Sequence, residues 1–148
     1  MPEELRPAEL HDVDRATCFA FLGAQHVGRL VLPGDEPFVA PFNYVVVGDA
    51  LVLRTEADTH AALGVGQSIL FEVDYIDDEY QAGWSVVIRG GLEDITDSPT
   101  VDADLRERLE SWAPGPRDRW LRVTIDEMTG RWLRGADHTP PLDGRAYL

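Results

Sequence analysis

The sequence predicts a mainly β protein, a closed or nearly closed antiparallel barrel with two or three helices at its margins. Three observations carry this. Apolar residues recur with a period of two in short runs, the spacing of half-buried strands. The links between runs are compact turn clusters, such as Pro33-Gly34-Asp35-Glu36-Pro37 and Gly48-Asp49, too short for parallel crossovers. The chain has 148 residues, which suits one domain with one core.

The elements follow in order. Residues 1–13 read as a loosely held arm, 14–134 as the domain and 135–148 as an extended tail rich in Gly, Pro and Asp. Asp14 caps a short helix to about residue 23, with Ala16, Phe19 and Leu22 on one face. Strands follow over 27–32, 38–47 and 51–55, joined as hairpins. Residues 58–63 form a short helix. Residues 69–76 alternate, with Ile69, Phe71, Val73 and Tyr75 opposite Glu72 and Asp74. Residues 84–95 form a long strand whose Gly90-Gly91 pair marks a bulge or a barrel corner. A second helix begins at Ser98-Pro99 and runs to about 112, stopped by Pro114-Gly115-Pro116. Strands over 120–125 and 128–133 complete the set.

Composition excludes several functions. A formal net charge of −14 repels nucleic acid and anionic membrane surfaces. No apolar run approaches the roughly 18 residues of a membrane span. Cys18 is the only cysteine, so no intrachain disulfide is possible, and the Met1-Pro2-Glu3-Glu4 start has no secretory pattern; a cytoplasmic protein is expected. The four histidines lack metal-ligand spacing, and Gly64-Val65-Gly66 lacks the third glycine of a dinucleotide loop. No metal site and no catalytic acid, base or nucleophile is assigned.

Four constellations could hold a small molecule. Arg54, Thr55, Thr59 and His60 lie at a strand end followed by a helix, where backbone N–H groups and a guanidinium suit an anion. The same residues admit a plainer reading, with Arg54 paired to Glu56 or Asp58 and with Asp58 or Thr59 capping the helix. Trp84 and Ser85 point to opposite faces of their strand; Trp84, with Val86 and Ile88, reads as core, and Ser85 as core-edge or ligand contact. Pro41 inside a strand leaves neighbouring backbone groups free of ladder bonds, so Pro41, Phe42, Asn43 and Tyr44 form a third group, open to ligand contact or to packing. Trp112, Arg119 and Trp120 form the fourth, again open between contact and packing.

The segment Gly83-Trp84-Ser85-Val86-Val87-Ile88-Arg89-Gly90-Gly91 does not stand alone. With Val27-Gly28-Arg29-Leu30, Pro41-Phe42-Asn43-Tyr44, Leu53-Arg54-Thr55 and Phe71-Glu72-Val73-Asp74, in this order, it resembles the pyridoxamine 5'-phosphate oxidase-like family of FMN-binding split β-barrels, over about 18–134. The resemblance implies an antiparallel split β-barrel, a flavin-dependent oxidoreductase and a homodimer with its cofactor at the subunit interface. It places the FMN phosphate at Arg54, Thr55 and Thr59, the isoalloxazine along Pro41, Phe42 and Asn43, and Trp84 and Ser85 near the flavin. Trp112 and Arg119 would reach the partner's site. Relatives carry lysine where this chain has His60, which removes a permanent charge. The resemblance therefore implies FMN held weakly and with pH dependence, a 5-deazaflavin coenzyme instead, or a binding protein without flavin. Pyridoxamine 5'-phosphate itself needs a second basic pocket, for which the C-terminal segment offers only Arg134 and Arg145.

Overall fold

The computed structural model describes residues 7–57 and 59–136. Its elements are β1 (Glu9–Val13), α1 (Arg15–Gly23), β2 (Val27–Leu32), β3 (Phe38–Val47), β4 (Ala50–Thr55), α2 (His60–Leu63), β5 (Ser68–Asp77), β6 (Ala82–Asp94), α3 (Ala103–Arg108) and β7 (Arg119–Arg134). The strands hydrogen-bond in the order β1-β7-β4-β3-β2-β5-β6, and β6 pairs again with β7. Six strands thus close into an antiparallel barrel, with β1 as an extra strand and three helices, which is the fold class the sequence predicts. Closure removes free edges from those six strands.

The chain divides into two compact units, taken here in turn. The first holds the described residues of 1–25, 73–87 and 128–148. Asp14 caps α1 by accepting from the Thr17 N–H at 2.8 Å, and Cys18, Phe21 and Leu22 are its buried residues. Phe21 stacks flat on Trp84, centroids 4.6 Å apart. Residues 9–13 are not a loose arm: β1 pairs antiparallel with the end of β7, from Glu9 opposite Arg134 to Val13 opposite Gly130. Two interactions hold it. The Arg134 side chain, 2% exposed, donates to Glu9 Oε1 at 3.0 Å and to the Pro7 carbonyl at 3.1 Å. The His11 ring stacks on Trp132. A glycine is required at position 130, since a Cβ there would lie 2.5 Å from Cys18 Sγ and 2.7 Å from a Val13 methyl.

The second unit holds residues 26–72 and 88–127. β2 pairs with β3 from Val27 opposite Asn43 to Leu32 opposite Phe38, and β3 with β4 from Tyr44 opposite Leu53 to Val47 opposite Ala50. β4 pairs with the start of β7, ending with Thr55 opposite Arg119. Val52, Ile95, Leu105, Leu109 and Trp120 pack as one core cluster. Gly90 does not have a positive φ. A Cβ there would sit 1.6 Å from the Thr124 carbonyl oxygen, so Gly90 admits a close backbone approach.

Three boundaries move. The helix expected over 98–112 is confined to Ala103–Arg108. Ser98 Oγ bonds to Thr100 and shapes a turn, so the cap falls to Asp102, which accepts from Leu105 N–H at 2.9 Å. At the other end the Leu109 carbonyl accepts from Arg54 rather than continuing the helix. The strands expected over 120–125 and 128–133 are one strand, which runs through the exposed Asp126 and Glu127 without a turn. Asp58 as a cap, residues 1–6 of the arm and 137–148 of the tail lie outside the described residues.

Candidate functional site

In the second unit, β3, β4 and the loop after α3 bound a small cleft of about 80 Å³ that opens to solvent. Its walls are Pro41, Phe42, Asn43, Arg54, Leu109, Ser111, Ala113 and Arg117. Four residues singled out in the sequence, Pro41, Phe42, Asn43 and Arg54, therefore share one cavity.

Asn43 ties the cleft together. Its Nδ2 donates to the His26 carbonyl at 3.3 Å, and its Oδ1 accepts from the Trp112 N–H at 2.9 Å. The indole of Trp112 stays 72% exposed and lines an adjoining groove with His26, Tyr44 and Arg108. Tyr44 is buried edge-on to Phe71, and burial pushes its phenol well above the ordinary range, so it stays neutral.

Arg54 is pinned on three sides. Nε donates to the Arg117 carbonyl at 3.0 Å and Nη1 to the Leu109 carbonyl at 3.3 Å, while the guanidinium lies 4.4 Å over the Trp120 ring. Among the described residues no carboxylate stands within ion-pair distance of it; Glu56 pairs with Arg117 instead. Burial, and then the charges of Arg106 and Arg117, hold the Arg54 pKa below its usual value, opposed by Asp118. It remains a cation, as arginine does in proteins.

The rest of the expected phosphate segment is arranged otherwise. Thr55 is buried, and its hydroxyl shares a 2.9 Å hydrogen bond with that of Thr59. Thr59 caps α2, accepting from the Ala62 N–H at 3.3 Å. His60 stacks on Phe38, centroids 4.9 Å apart. Arg119 is exposed and lies 3.5 Å from Asp94. Trp84 and Ser85 belong to the first unit, where they line an apolar groove with Leu10, Ile76, Ala82, Leu133 and Arg131. Trp84 packs as core, and its Nε1 has no hydrogen-bond partner among the described residues. No cluster of three metal-ligating side chains occurs among the described residues.

Sequence reasoning missed Arg117, Ser111 and Ala113. The usable signal was the Pro114-Gly115-Pro116 turn, which sends the chain back and delivers Arg117 to the cleft; Gly115 adopts φ +103 there.

The chain matches the pyridoxamine 5'-phosphate oxidase family over residues 14–132. It belongs to that family. An uncharacterized protein of Mycobacterium tuberculosis is 25% identical over 139 residues, covering 89% of this chain and 91% of that protein. Among solved structures, an FAD-binding protein from Mycobacterium smegmatis superposes with a TM-score of 0.66 at 24% identity, covering 85% of this chain and 100% of the other. An FAD-binding protein from Mesorhizobium loti does so with a TM-score of 0.70 at 20% identity, covering 85% and 98%. At these identities the two likenesses establish the fold. Family membership does not fix a reaction.

Proposed function

We propose that this member of the pyridoxamine 5'-phosphate oxidase family is a flavin-binding protein of the oxidoreductase type, with FMN as its flavin. The observation that carries the reading is the cleft in which Pro41, Phe42 and Asn43 face the pinned Arg54 cation. The donor set fits: an apolar wall, an amide, backbone groups and one permanent positive charge in a chain of net charge −14. The FAD-binding proteins of the same fold support a flavin over other planar ligands. A bound flavin supplies the redox chemistry. The chain's residues bind it, orient it and restrict water; none is assigned a catalytic proton transfer.

The reading includes a homodimer with the cleft at the subunit interface, supported by the exposed Trp112 indole beside it. Light scattering giving the mass of a single chain refutes that part.

Titration of the purified protein with FMN, followed by flavin fluorescence, tests the whole. Saturable quenching is expected. If FMN, FAD and a 5-deazaflavin coenzyme all fail to bind, the flavin reading falls. A second reading, a binding protein whose phosphate site has lapsed, is favoured by one specific arrangement: Thr55 and Thr59 bond each other and His60 stacks on Phe38.

A further inference from the structure

We propose that Arg54 and Arg117 together form an anion site at one end of the cleft, that it takes the phosphate of the flavin, and that Thr59 and His60 take no part. The inference rests on the flavin reading; it keeps Arg54 from the segment that the sequence resemblance implies and replaces the other residues of that segment with Arg117.

The other residues of that segment are committed elsewhere. Thr55 is 3% exposed and its hydroxyl is bonded to Thr59, whose oxygen also accepts from Ala62 N–H. His60 lies against Phe38, and neither ring lines the cleft. Arg54 and Arg117 both line it.

Both arginines have unspent donors. Arg54 uses Nε and Nη1 on carbonyls. Arg117 uses only Nη1, on Glu56 and on the Pro116 carbonyl. Nη2 of each, and Nε of Arg117, make no hydrogen bond among the described residues. A guanidinium offers five N–H donors in a fork that matches two phosphate oxygens at once. Arg54 is already immobilised by two carbonyls and the Trp120 face, so little side-chain freedom remains to be lost on binding.

Charge points the same way. Arg106 also lies over Trp120, at 5.4 Å, so two guanidinium groups share one indole, and the charge of Arg117 also bears on Arg54. Asp118 offsets part of this repulsion at Arg54, and Glu56, which is partly exposed and therefore a displaceable counter-ion, pairs with Arg117. An arriving phosphate, with three acceptor oxygens and up to two negative charges, replaces it with better geometry.

The test compares riboflavin, which lacks a phosphate, with FMN and FAD, which carry one and two. Fluorescence titrations use the full chain and Arg117→Ala, Arg117→Lys, Glu56→Gln and His60→Ala, each checked for folding by circular dichroism. Wild-type protein should prefer FMN to riboflavin about tenfold, the worth of one charge-assisted contact. Arg117→Ala should erase that preference, weakening FMN about tenfold more than riboflavin; Arg117→Lys should keep part of it. Glu56→Gln should tighten FMN, and His60→Ala should change nothing. An FMN preference that survives Arg117→Ala, or is lost in His60→Ala, overturns the proposal. An FAD preference over FMN that Arg117→Ala removes upholds the site with a diphosphate as its anion. If no flavin binds, the flavin reading fails separately, and inorganic pyrophosphate becomes the probe. A pyrophosphate-induced rise in melting temperature that Arg117→Ala removes upholds the anion site; no rise overturns it.

Discussion

Gly130→Ala tests the packing of the first unit quantitatively. A methyl at this position would lie 2.5 Å from Cys18 Sγ and 2.7 Å from a Val13 methyl carbon. Both are about 1 Å inside ordinary contact distance. Cys18 is buried on α1 and cannot swing into solvent. The overlap should cost about 2 kcal/mol, the middle of the range for one added methyl in a filled core. For a domain of this size that lowers Tm by about 4–8 °C. Cys18→Ala alone removes one buried heavy atom and should cost about 1 kcal/mol. In the double variant the new methyl occupies the space the sulfur left, so the two costs must not add. Urea denaturation of the four proteins gives the coupling energy, expected near 1–2 kcal/mol and favourable. Additivity within about 0.5 kcal/mol would show that the sulfur and the glycine do not compete for one space, and would refute the reasoning.

Three further outcomes are expected. Gly90→Ala places its Cβ 1.6 Å from a backbone oxygen that cannot move without breaking the β6–β7 pairing; a loss of about 3 kcal/mol or more is expected, seen as insoluble protein or early urea unfolding. Thr96→Val removes a hydroxyl that donates to Asp94 at 2.6 Å and accepts from Trp120 N–H at 3.0 Å, and should cost about 1–2 kcal/mol at neutral pH. The Thr96 hydroxyl, then its N–H, with Arg119 adding, hold the Asp94 carboxyl below its usual range. That stabilisation is present above the ordinary carboxylate pKa and lost as pH falls through the lower folded value, so the gap between wild type and variant should narrow in acid; a constant gap would disprove the link. Burial, and then Asp14, push the Cys18 thiol up; a thiol reagent at neutral pH should label it only after denaturation, and rapid labelling of native protein would contradict its placement.

How much of this was legible in the sequence varies along the chain. β2 and β3 have the bounds the sequence predicts, because turn residues flank both. β1 was missed since Glu9, His11 and Asp12 lack the apolar alternation of a strand; it forms because a buried Arg134, far along the chain, needs a carboxylate and a carbonyl. α3 ends early for a similar reason, its terminal carbonyl being claimed by Arg54 from 55 positions away. Pro41, Phe42, Asn43 and Arg54 were found because strand irregularity and a charge at a strand end are local signals. Arg117 was not, since its importance lies in distant partners. The expected ion pair of Arg54 with Glu56 is not formed, because Arg117 takes Glu56, and Asp58 lies outside the described residues.

The distribution of tryptophan has an optical consequence. The chain has four; Trp84, Trp120 and Trp132 are buried, whereas Trp112 is 72% exposed. Its emission should therefore lie to the red of the others and yield first to a soluble quencher such as acrylamide. The Trp112 backbone N–H also donates to Asn43, a wall of the cleft. Occupancy of that cavity is thus reported by one native fluorophore, separable from the other three by colour and quenching, without any label.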